Sequence, residues 1–123
     1  MGDISKNFSR WEFACKCDCG FSTADYQLIE VLEDVREHFD SGVTINSGCR
    51  CVSHNHNEGG STRSKHLEGI AADFYVQGVD AERVYFYLVD KYPNSKGIGK
   101  YDGRTHVDVR VNKARWDKTG IKG

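Results

Sequence analysis

Apolar residues along this chain keep two different spacings, and the changes between them mark out its elements. Leu28, Ile29, Leu32, Val35 and Phe39 recur at helical intervals, with Glu30, Glu33, Asp34, Arg36 and Glu37 on the wet side. This predicts a core-forming helix that follows Ser22-Thr23-Ala24-Asp25 and ends near Asp40. Ser22 is placed to cap it, Asp25 falls in its first turn, and Gly42 stands just beyond as a stop. His38, in the last turn, reads as a surface residue favoured by the helix dipole rather than as a ligand. Val43-Thr44-Ile45-Asn46 reads as a short strand. From Ile70 to Val76 the period becomes two, with Ala71, Asp73 and Tyr75 on one face and Ile70, Ala72, Phe74 and Val76 on the other. Asp80 is the cap of a second helix, Ala81 to Lys91, whose Val84 and Leu88, with Tyr85 and Tyr92, cover the sheet. Tyr92-Pro93 ends it, because proline cannot continue the ladder.

Two antiparallel strands, Gly97 to Tyr101 and Thr105 to Val111, are predicted around the turn dipeptide Asp102-Gly103. In the second, Val107, Val109 and Val111 alternate with His106, Asp108 and Arg110, which share the opposite face. Phe8, Trp11 and Phe13 form an aromatic cluster near the start, and Trp116 is expected to pack back on the domain. Two helices, short strands and antiparallel connections predict a small α+β domain, with helices on one side of an antiparallel sheet and a cleft on the other.

Composition narrows the function classes. The chain has 123 residues, room for a single domain spanning 1–123, with 1–6 and 117–123 expected to be loose ends. It carries 17 Lys and Arg against 18 Asp and Glu, a net charge of -1, which lacks the basic surplus of a nucleic-acid binder. No apolar run approaches the roughly 20 residues that span a bilayer, and Met1-Gly2-Asp3-Ile4-Ser5 lacks the features of a secretory signal. Neither nucleic acid nor membrane is therefore expected as a partner, and a monomer is expected.

Five cysteines form two tight clusters, Cys15, Cys17 and Cys19, then Cys49 and Cys51. An odd number cannot all pair within one chain. Disulfides between the clusters, a structural thiolate-metal site and reduced, half-buried thiols are the three readings, and the missing export signal favours the last two.

The candidate chemistry lies in Ser64-Lys65-His66-Leu67-Glu68-Gly69-Ile70-Ala71-Ala72-Asp73. A histidine from a loop and a carboxylate on the strand that emerges from it suit two of the three protein ligands of a catalytic zinc, and His106 is the nominee for the third. Alone, H-x6-D is not specific. Its setting is more so: Ser47-Gly48-Cys49-Arg50, His54-Asn55, Gly59-Gly60, Ser64-x-His66-x-x-Gly69-x-Ala71-Ala72-Asp73, Gly97-x-Gly99-x-Tyr101 and His106-Val107-Asp108-Val109-Arg110 follow in that order. From about Phe8 to Trp116 this series resembles the D-Ala-D-Ala carboxypeptidase-like zinc peptidases. That group includes bacterial and phage cell-wall peptidases and the zinc-binding domain of hedgehog proteins.

The resemblance implies a hedgehog/DD-peptidase-like fold and one catalytic Zn2+ held by His66, Asp73 and His106, activating a water for peptide hydrolysis. Arg50, in the position of an S-G-x-R arginine, is implied to bind a substrate carboxylate through two parallel hydrogen bonds. His54 and Asn55 are supporting residues, neither His54 nor His56 is expected as a ligand, and Ser64 can hold His66. Several of the resembling enzymes carry an acid three residues before the final histidine. Here that position is Gly103, with Asp102 one residue earlier. Asp108 ranks above Asp102 as the acid that shuttles a proton or orients His106. The implied partner is a peptidoglycan peptide containing D-amino acids, cut by a carboxypeptidase or an endopeptidase. The implied setting is a bacterial or phage-encoded lytic or wall-remodelling enzyme, made in the bacterial cytoplasm and reaching the wall after lysis or by another export route. The rivals are a zinc module that recognises a peptide or partner without cutting, and a plain domain whose histidines and acids are solvated.

Overall fold

The computed structural model of the chain describes residues 5–13, 25–48 and 70–118. After a 3-10 turn at Arg10–Phe13 come helix α1 (Tyr26–Phe39), strands β1 (Val43–Ser47) and β2 (Ala71–Val76), helix α2 (Ala81–Lys91), and strands β3 (Gly97–Tyr101), β4 (Arg104–Asp108) and β5 (Ala114–Asp117). The strands form one sheet in the order β1-β2-β4-β3-β5. The α+β class holds, but the sheet is mixed rather than wholly antiparallel. The chain leaving β4 crosses over the start of β3 and lays β5 parallel to it on the outer edge. Arg110 O accepts from Lys96 N, and Lys96 O accepts from Ala114 N, which pins this crossing. The short segment Ala114–Asp117 has too little alternation to announce a strand.

Helix α1 begins at Asp25, whose carboxylate accepts the Gln27 backbone N–H at 2.8 Å, so Asp25 is the N-cap; Ser22 lies outside the described residues. The helix ends at Asp40 in the left-handed conformation (φ 47°, ψ 44°) with its N–H bonded to Glu37 O. An aspartate tolerates that conformation, so Asp40 stops the helix two residues ahead of Gly42. Asp80 precedes α2 as expected but makes no side-chain capping bond, and Tyr92 closes the helix before Pro93. Gly103, at φ 75°, takes the turn between β3 and β4.

Leu28, Ile29, Val31, Leu32 and Val35 from α1 and Val84 and Leu88 from α2 are buried with Ile45, Ala72, Phe74, Val76, Ile98 and Val107 from the sheet. The cross-strand partners Ile45 and Phe74, and Ala72 and Val107, put these strand residues on one face, beneath both helices. Phe8 and Phe13 join this core with ring centroids 6.0 Å apart. Trp11 does not: it is 74% exposed, because it lies on the outer side of the 3-10 turn whose Phe13 points into the core.

The wet side of α1 is also less wet than its charges imply. Glu33 accepts from Ser5 Oγ, Asn7 N and Asn7 Nδ2 at 2.5, 2.7 and 2.6 Å. Burial pushes its carboxyl up, but these bonds outweigh it and hold Glu33 below its ordinary value. Asp34 accepts from Tyr87 Oη at 2.5 Å and pairs with Lys91 at 2.5 Å, joining the two helices. Ser5 is thus tied to α1, and Asp117 of β5 pairs with Lys100 of β3.

Candidate metal centre

The face of the sheet turned away from the helices carries the chemistry. In the β2–β4 ladder Asp73 stands directly opposite His106, and Ala71 opposite Asp108. In the next ladder Gly99 stands opposite His106 and Gly97 opposite Asp108. Beyond them, Trp116 of β5 pairs with Gly99. One cross-strand row therefore reads Asp73, His106, Gly99, Trp116. The register of β1 on β2 shifts between Ile45 and Ser47, so that Ser47 is the residue opposite Asp73. Bulges of this kind recur beside functional sites.

Each residue of that row has a defined contact. His106 Nδ1 is 2.8 Å from Asp73 Oδ1, and His106 Nε2 is 2.8 Å from Asp108 Oδ2. Arg110 donates to the same Asp108 carboxylate three times: from Nη2 to Oδ2 at 2.7 Å, and from Nε and the backbone N to Oδ1 at 2.7 and 3.2 Å. An ionised carboxylate has about four acceptor positions, and here His106 and Arg110 fill them. Asp108 is 0% exposed. Burial alone pushes its pKa up, but the hydrogen bonds from His106 and Arg110 reverse this and hold it far below the carboxylate range.

The two glycines of β3 make the row possible. A Cβ on Gly97 would sit 2.3 Å from Asp108 Oδ2 and 2.6 Å from Arg110 Nε, and one on Gly99 would sit 2.2 Å from Trp116 Nε1. Their absence lets the ion pair and the indole lie flat on the strand. Trp116 then rests beside the imidazole, ring centroids 4.9 Å apart, and donates its Nε1–H to Tyr101 Oη at 2.8 Å. The Arg110 guanidinium carbon stands 5.6 Å from the indole centroid.

His106 itself tests the fit of a metal. Both imidazole nitrogens face carboxylate oxygens, yet a neutral ring donates from one nitrogen only. Donating to both carboxylates requires the imidazolium, and a bound metal cation would take the place of one of its two protons. Burial lowers the imidazole pKa, and the bonds to Asp108 and Asp73 more than reverse that, raising it above its ordinary 6.5. Asp108 already carries the Arg110 charge, so Asp73 and the Nδ1 side of His106 are the groups that would hold a cation. One carboxylate oxygen and one imidazole nitrogen are zinc donors, so these residues fit the group.

Of the nominated ligands, then, Asp73 and His106 come together; among the described residues no third His, Cys, Asp or Glu completes a metal-holding group with them. His66 lies outside the described residues, as do Arg50, His54, Asn55, His56, Ser64 and all five cysteines. Asp102 is exposed in the β3–β4 turn, at the end of the hairpin away from Asp108. Arg110 and Trp116 went unassigned in the sequence as site residues. The signal that points to them is the two-residue spacing of Gly97 and Gly99 beside the alternating His106, Asp108 and Arg110, since small residues in one strand make room for large side chains on its neighbours.

Comparison with known protein families matches residues 6–108 to the model of the Peptidase M15 family. Comparison with curated proteins found no match.

Proposed function

The chain belongs to the Peptidase M15 family and is on that ground a metallopeptidase; from that premise we propose that it uses zinc to hydrolyse D-alanine-containing peptide bonds in peptidoglycan stem peptides or cross-links. The observation that carries this reading is the convergence of Asp73 and His106 across adjacent strands, within a chain matched to the family over residues 6–108.

In this reading His66, Asp73 and His106 hold the zinc, which when bound supplies a Lewis acid that lowers the pKa of a water towards about 7 and polarises the scissile carbonyl. The remaining work belongs to the chain. Asp108 keeps the imidazole of His106 aimed at Asp73 rather than moving a proton, since all its acceptor positions are taken. Arg50 binds a substrate carboxylate. Asp102 is the other acid of the hairpin, and Asp102→Asn decides whether it serves as a base: a kcat unchanged from wild type removes it. The protein is read as a monomer made in the bacterial cytoplasm, encoded by a bacterium or a phage, that reaches the wall after lysis or by another export route.

Product analysis by mass spectrometry on defined peptidoglycan fragments tests the reading, with zinc-loaded wild type set beside His106→Ala. A released carboxy-terminal D-alanine identifies a carboxypeptidase, and separated cross-linked stems an endopeptidase. Two observations favour a second reading, a zinc module that binds a peptide or partner without cutting: Asp108 is saturated, and Gly103 stands where several of the resembling enzymes carry an acid. Folded, zinc-loaded protein that cleaves neither substrate class would establish it.

A further inference from the structure

We infer that Arg110 is a positioning residue that sets the metal-facing orientation of His106 by acting through Asp108; this rests on the zinc reading above and extends it to a residue outside the nominated ligand set. An imidazole on a strand can present either ring nitrogen to a metal, and the partner of the other nitrogen decides which. For His106 that partner is Asp108, and what fixes Asp108 is Arg110. The side chain grips the carboxylate with two prongs, Nε on one oxygen and Nη2 on the other, both at 2.7 Å. A carboxylate held on both oxygens cannot rotate about its Cβ–Cγ bond, so the oxygen facing His106 Nε2 stays in place.

The grip is itself supported. Gly97 leaves the volume that the carboxylate and Nε occupy. The guanidinium is drawn to the face of Trp116, whose own orientation is pinned by Tyr101 Oη. Arg110 and Trp116 both lie beyond residue 108, where the family match ends. The crossing after β4 and the parallel strand β5 are thus what bring this support to the histidine.

A residue that only neutralised a buried carboxylate would be replaceable by any cation, whereas a two-pronged grip is not. The test measures zinc dissociation constants by competition with a chromophoric chelator for wild type, Arg110→Met, Arg110→Lys, Asp108→Asn and the Asp108→Asn/Arg110→Met double variant. It also follows the His106 imidazole N–H resonance by proton NMR in the zinc-loaded forms. Arg110→Met is expected to weaken zinc binding by ~10–100-fold, the range seen when an orienting partner of a ligand is lost. Arg110→Lys is expected to recover only part of that, and the double variant to bind no more weakly than Asp108→Asn alone, because Arg110 acts through Asp108. The imidazole N–H signal, sharp and far downfield in wild type, is expected to broaden or vanish in Arg110→Met.

Folded Arg110→Met with zinc affinity within about two-fold of wild type overturns the inference. So does Arg110→Lys indistinguishable from wild type, or an equal loss on removing Arg110 in the Asp108→Asn background. Should Arg110→Met fail to fold, the lysine variant and the double variant, in which no buried charge is stranded, decide the matter. Wild type that holds no zinc overturns the metal reading itself, a separate result from any of these.

Discussion

The two faces of the sheet are buried by opposite means. Under the helices, Phe74, Val76, Ile98 and Val107 are covered by Leu28, Leu32, Val84 and Leu88, a contact without direction whose energy follows the apolar area removed from water. On the other face Asp73, His106 and Asp108 are all buried as well, but what stabilises them is directional: each acceptor needs its donor, and each charge its opposite. The contrast teaches which face tolerates change. An apolar core accepts side chains of similar volume at small cost, whereas a buried chain of charges strands every remaining member when one is removed.

Substitutions can break that contrast, and the largest effect is expected at His106. His106→Ala should bring zinc content below about half an equivalent after mild dialysis and reduce peptide hydrolysis to background, read by metal analysis and product mass spectrometry. Next come two changes of similar cost to the fold but different cost to the site. Phe74→Ala and Asp108→Ala should each lower stability by about 3–5 kcal/mol in denaturant unfolding of the metal-free protein, one through a cavity and the other through uncompensated charge. Only Asp108→Ala should also weaken zinc binding, by ~10–100-fold. Equal zinc affinities in the two variants would show that the faces are not functionally distinct.

Gly99→Ala should cost about 1–3 kcal/mol, because the new methyl group displaces the Trp116 indole from β3. Near-UV circular dichroism of the displaced tryptophan reads it. Ile98→Val, on the helix-covered face, should cost about 0.5–1.5 kcal/mol and leave zinc binding unchanged.

The pH dependence of the metal-free protein sharpens the comparison further. The folded pKa of His106 lies above 6.5, so its contribution to stability is complete below 6.5 and is lost as pH rises through the raised folded value. Asp108 runs the other way: its contribution is complete above 3.8 and is lost as pH falls through the lowered folded value. The charged face is therefore most stabilising between those two ordinary values. Thermal midpoints in chelator should fall on the alkaline side for wild type and not for His106→Ala, the smallest of these effects. Parallel curves for the two proteins would remove His106 as the group responsible.

Much of this molecule was written along the chain itself. Periodicity, with the Asp80 and Pro93 boundaries and the Asp102-Gly103 turn, placed α2 at Ala81–Lys91 and a hairpin at β3 and β4, and put His106 and Asp108 on one face; the second strand, expected over Thr105 to Val111, runs Arg104–Asp108. A side chain's face follows from its own strand's two-residue repeat, and a helix stripe from its own 3.6-residue repeat, so neither needs knowledge of the rest of the fold. Local chemistry also marked Asp40 as the helix end, but only the backbone showed that it, and not Gly42, takes the left-handed position.

The tertiary structure decided what stands beside what. That Asp73 faces His106 across a ladder, that β5 returns parallel to β3, and that Trp116 rests on Gly99 all depend on register between segments 17 to 33 residues apart. Register and strand order follow from the packing of the whole sheet, so no single stretch of sequence carries them. The same holds for Glu33 and Trp11: one reads as solvated yet is bonded to Ser5 and Asn7, and the other reads as core yet points to water. Hydropathy describes a side chain, and burial describes its neighbours.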